Sequence, residues 1–93
     1  MKVNFNKSFK DFRGKDLGIN MADEVGKILF NLSTADKAPL SADEKYMAYK
    51  VCSRICSDGE VELNANEAAF VVKMCGEYMT AGAYGQVREL IEN

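Results

Sequence analysis

The run from Leu40 to Cys56 constrains the fold more than any other stretch of the chain. Ser41 and Glu44 have the spacing of a capping box, in which each side chain accepts a hydrogen bond from the other residue's backbone N–H. Behind that start, Met47, Ala48, Val51, Cys52 and Ile55 recur at helical spacing, so one face of a helix over 42–57 has to be covered. Ser57-Asp58-Gly59 ends it, because glycine suits the left-handed backbone that follows a last helical turn. A second face carries Tyr46, Lys50 and Arg54 at i, i+4 and i+8, a row of one ring and two cations. The remaining chain must supply the cover for the apolar face.

Upstream, the hydrophobic period is two rather than 3.6. Val3, Phe5 and Phe9 share one parity, and Leu17, Ile19 and Met21 alternate beyond Arg13-Gly14-Lys15-Asp16. Period-two segments flanking a glycine-containing turn predict a β-hairpin over 1–20. Phe12 breaks the parity, which places a bulge or irregularity near Asp11. Two strands alone are marginal, so the ribbon must lie on helices or pair with another chain along its edge.

Asn20 then caps a helix over 21–33, with Asp23 and Glu24 in its positive first turn. Met21, Val25, Ile28, Leu29 and Leu32 form its apolar stripe, while Phe30 falls on the opposite side with Asp23 and Lys27. Thr34–Pro39 connects this helix to the next, and Pro39 pushes Ala38 towards an extended conformation. After Gly59, Glu60–Leu63 alternates as a short extended segment. Asn64 and Glu67 repeat the capping-box spacing and start a helix over 65–80. Its inner face is Ala68, Val71, Val72, Cys75 and Met79, which leaves Phe70 outside with Asn66, Lys73 and Glu77. A break at Ala81-Gly82 precedes a last helix over 83–91, spaced by Ala83, Val87, Leu90 and Ile91. The expected fold is α+β, mostly α: one domain over 1–93, with an N-terminal hairpin packed on a bundle of about four short helices.

Ninety-three residues suffice for one core and are too few for a deep enclosed site. Twelve basic and fourteen acidic residues argue against duplex nucleic acid as the partner, since that mode shows a basic stripe. The apolar runs fall far short of the roughly 20 residues that cross a membrane. Residues 1–6 lack an apolar segment behind Lys2, so no signal peptide is expected. Three cysteines without a disulfide framework fit a reducing, cytoplasmic compartment. Cys52, Cys56 and Cys75 fall short of the four ligands of a structural zinc site, and no histidine is present to complete one. They are read as core residues, and neither metal nor cofactor is expected.

Without histidine, acid–base chemistry would need a carboxylate or lysine shifted by burial, and no such burial is signalled. No catalytic residue is assigned. Two sets of residues are left as candidates. Tyr46, Lys50 and Arg54 suit an anionic ligand such as a nucleotide, or an acidic partner loop, through stacking and charge-assisted bonds, the other reading being an ordinary solvated face in which Lys50 and Arg54 pair with acidic neighbours. Phe30 and Phe70 are large apolar residues on nominally polar helix faces and suit a protein interface, hairpin coverage being the other reading of each.

With the helices placed, Leu40-Ser41-x-x-Glu44-Lys45, Val61-Glu62-Leu63 and Ala83-x-Gly85-Gln86-Val87 with Leu90-Ile91-Glu92 resemble segments of small uncharacterised helical proteins of tailed bacteriophages and prophages. The resemblance covers residues 40–92 and implies a cytosolic accessory protein without catalytic residues. The expected function is binding of a protein partner, self included, as an assembly aid or modulator of a host factor. An anionic small-molecule binder and a single-stranded nucleic-acid binder are the alternatives.

Overall fold

The computed structural model describes residues 1–33 and 40–92. The Thr34–Pro39 connection, including the conformation expected of Ala38, lies outside the described residues. The elements run β1 (Lys2–Asn4), β2 (Ser8–Lys10), β3 (Asp16–Asn20), α1 (Met21–Phe30), α2 (Ala42–Asp58), β4 (Glu60–Glu62), α3 (Ala65–Tyr78) and α4 (Ala81–Glu92). The class is α+β, mostly α.

The N-terminal region divides its pairing. β2 and β3 make the hairpin, whereas β1 pairs antiparallel with β4, Val3 opposite Val61. The two ribbons are joined at Phe5, whose N–H donates to Gly59 O and whose carbonyl accepts from Lys7 and Ala22. Val3, Phe5 and Phe9, the residues of one parity, are all buried. α1 packs on α2 and α3 packs on α4, with α1 also against α3.

Each helix start rests on its sequence signal. Asn20 accepts from the N–H groups of Ala22 and Asp23, and both capping boxes, Ser41/Glu44 and Asn64/Glu67, are closed in both directions. The ends differ from expectation for local reasons. α1 stops at Phe30 rather than 33 because Asn31 directs both its backbone N–H and its side-chain Nδ2 to Lys27 O. α3 stops at Tyr78 because Thr80 starts the next helix. Its Oγ1 accepts from Ala83 N at 3.4 Å and its carbonyl from Tyr84 N. Gly82 and Gly85 therefore lie inside α4 and do not bound it.

The irregularity expected near Asp11 sits in β3 instead. Ser8 faces Asn20 and Lys10 faces Asp16, so Phe9 alone spans the three residues Leu17–Ile19. Gly18 makes this detour with φ +70°, and the Asp16 carboxylate accepts its N–H. Leu17 and Ile19 are thereby left exposed.

Candidate functional site

The hairpin turn is held by one carboxylate. Asp11 Oδ1 accepts from the backbone N–H of Arg13 and of Lys15, while Asp11 N donates to Lys15 O and Gly14 N to Asp11 O. Gly14 supplies the positive φ this turn needs. The result is a stiff tip that presents Phe12 to solvent at 92% exposure, with the Arg13 guanidinium 5.3 Å from its ring centroid. An apolar side chain held this far from the core adds nothing to core packing.

Behind Phe12 lies a groove of about 550 Å³, between the hairpin, α1 and the α3–α4 junction. Leu17, Ile19, Ile28, Tyr78 and Met79 form its apolar walls, and Leu17, Ile19 and Tyr78 are each 42–49% exposed. Ile19 and Glu24 also line a second groove that reaches Phe30, itself 65% exposed. A strip of exposed apolar side chains therefore runs through Phe12, Leu17 and Ile19 along the first groove, and Ile19 shares the second with Phe30, beside Asp23, Glu24 and Lys27. Scattered exposed apolar residues need no explanation, whereas a contiguous row of them marks a contact surface.

The strip's strand edges are guarded. Gln86 on α4 accepts from Lys10 N and donates to Lys10 O, pairing with β2's outer edge as a neighbouring strand would. On β3 the bulge at Gly18 interrupts the other edge, a device that blocks strand addition. The edge pairing considered for the ribbon is thus disfavoured, and the hairpin offers side chains for contact.

The two aromatics expected on helix surfaces part company. Phe30 is exposed. Phe70 is 7% exposed and belongs to the core, which corrects its reading as an interface residue. α3 is packed by α1, α2 and α4, so its buried arc is wider than a one-sided stripe and takes in Phe70 and Met74, while Val72 and Met79 are only partly buried.

The Tyr46–Lys50–Arg54 row is divided as well. Lys50 Nζ lies 5.3 Å from the Tyr46 ring centroid, and the Tyr46 and Tyr49 rings stack at 6.5 Å with 15° between planes. Arg54 turns away. Its Nη1 donates to Glu62 O at 3.0 Å and its Nη2 to Glu67 Oε2, tying α2 to the end of β4 and the first turn of α3. Arg54 beside Glu67 holds that carboxyl below the usual carboxylate range, helped by the Asn64 N–H and opposed by desolvation. Only Lys50 of the two cations keeps its charge facing outward.

Cys52 and Cys75 are buried and Cys56 is exposed. Burial pushes the Cys75 thiol up to about 12. Burial, then the contact with Cys56 at 3.8 Å, pushes Cys52 up to about 11. Both stay protonated at neutral pH, so neither is a ready thiolate. Among the described residues no three His, Cys, Asp or Glu side chains converge to hold a metal. Among the described residues no polar or charged side chain is buried, and no helix is long and apolar enough to cross a membrane.

Sequence reasoning missed Phe12, Leu17 and Ile19 as surface. The parity break at Phe12 was the available signal, since a residue out of step in a hairpin either bulges or points outward. Comparison with family models, with curated proteins and with solved structures finds no match.

Proposed function

We propose that this chain is a non-enzymatic protein-binding domain whose contact surface is the strip from Phe12 to Phe30 and the groove beside it. The observation that carries this reading is the 92% exposure of Phe12 on a turn pinned by Asp11. A phenylalanine presented to water costs hydration without helping the fold, and the pinned turn lowers the backbone part of the ordering cost on binding. The resemblance of residues 40–92 to small phage and prophage proteins supports an accessory role in assembly or in modulating a host factor. Three free cysteines support a reducing, cytoplasmic setting.

The test is capture by the immobilised chain from lysate of the cells that encode it, with Phe12→Ser and Tyr46→Ser in parallel. A protein retained by the wild type and by Tyr46→Ser, and lost from Phe12→Ser, supports the reading. Retention unchanged in Phe12→Ser contradicts it.

The anionic-ligand alternative keeps one observation, the stacked Tyr46–Tyr49 pair with Lys50 over Tyr46, a platform that suits a nucleotide base. A nucleotide-induced rise in melting temperature that disappears in Lys50→Ala would favour it.

A further inference from the structure

We propose that the strip docks onto the same strip of a second copy of this chain, the two hairpins lying antiparallel about a two-fold axis. This rests on reading the strip as a protein-binding surface and names its occupant.

The shape argument comes first. Phe12 stands out as a knob, and the groove of about 550 Å³ opens directly beside it. A two-fold pair requires each copy to offer both halves of every contact, and here knob and hole share one face. Antiparallel docking brings each Phe12 to the other copy's groove.

Charge selects the orientation. The tip end carries Lys10, Arg13 and Lys15. Asp11 and Asp16 stand at the same end, their carboxylates accepting the backbone N–H groups of Arg13, Lys15 and Gly18, so three cations against two anions leave the tip with a net charge of +1. The opposite end, at the first turn of α1, carries Asp23 and Glu24, with Lys27 Nζ 3.6 Å from Glu24. Antiparallel docking sets each basic tip against the other copy's acidic turn, whereas parallel docking sets like against like. An apolar centre flanked by complementary charge is the pattern of a specific interface. The guarded edges of the hairpin, Gln86 on β2 and the bulge on β3, point the same way by leaving side-chain docking as the hairpin's means of association.

Two measurements test this. A mixture of unlabelled and ¹⁵N-labelled wild-type chain treated with a zero-length carbodiimide should yield mixed-isotope peptides joining Lys10 or Lys15 to Asp23 or Glu24. In sedimentation velocity, R13E/K15E alone and D23K/E24K alone should run as monomers where the wild type dimerises, and their equimolar mixture should recover the dimer. Should D23K/E24K lose its helix start, the wild-type cross-link decides. A wild type that stays monomeric at every concentration, a mixture no more associated than its components, or no tip-to-turn cross-link overturns the proposal. A monomeric wild type whose Phe12→Ser variant still loses a captured protein overturns the second copy alone. Capture untouched by Phe12→Ser overturns the protein-binding reading with it.

Discussion

At Gly59 the backbone takes φ +78°, and a Cβ there would stand 2.8 Å from Asn6 Cβ. Both the conformation and the space exclude a side chain, and the same residue's carbonyl anchors Phe5. Gly59→Ala is expected to destabilise the fold by about 1–3 kcal/mol in urea titration. Gly26 is the contrasting case. A Cβ there would meet Cys56 Sγ at 2.7 Å, a thiol that is exposed and able to rotate away, and Cys52 Sγ at an ordinary contact distance of 3.9 Å. Gly26→Ala also gains about 1 kcal/mol of helix propensity, so a stability change under about 1 kcal/mol is expected. Its signature is faster reaction of the displaced Cys56 thiol with a disulfide reagent.

Arg54 and Glu67 give a pH signature at the same scale. Arg54, then the Asn64 N–H, lowers the Glu67 pKa in the folded state. The contribution is therefore complete above the unfolded carboxylate's value of about 4.3 and is lost as pH falls through the lower folded value. Glu67→Gln is expected to flatten the acid limb of the stability curve below about pH 4.3, read as urea midpoint against pH. With Arg54 partly exposed, Arg54→Gln should cost only about 1 kcal/mol at neutral pH.

Among the elements, the hairpin draws support from a distant helix. Gln86 makes two hydrogen bonds to the Lys10 backbone across 76 residues of sequence. Gln86→Ala should speed amide exchange at Lys10 markedly while leaving the α2 and α3 amides unchanged. The same contact shows what sequence reading reaches. Helix starts were legible because a cap is a local bargain between residues three apart, as at Ser41/Glu44 and Asn64/Glu67. The pairing of β1 with β4 was not, since Val61 alternates equally well as an anchor or a strand and only the folded chain brings Val3 to it. Phe70 was misplaced for a related reason. A helix covered by several neighbours buries more than the single stripe that periodicity detects, and how many neighbours it has is a tertiary fact.

For the molecule as a whole, the core and the strip are separate sets of residues. Phe5, Leu29, Ile55, Leu63 and Val71 are sealed inside, while Phe12, Leu17, Ile19 and Phe30 line up outside. The candidate site was legible only in part. Phe30 stood out of pattern, but the Gly18 bulge that leaves Leu17 and Ile19 exposed depends on a register that no alternation rule specifies. Of the Tyr46–Lys50–Arg54 row, the helical spacing was legible, and the capture of Arg54 by Glu67 on another helix was not. A near-neutral net charge of −2 leaves little overall repulsion between copies, so local complementarity decides orientation. The most direct test is a series of ¹H–¹⁵N spectra recorded from dilute to concentrated protein. Concentration-dependent shifts confined to residues 10–19, 23–30 and 78–83 are predicted; shifts clustered on Tyr46, Tyr49 and Lys50, or spectra that do not change with concentration, would contradict it.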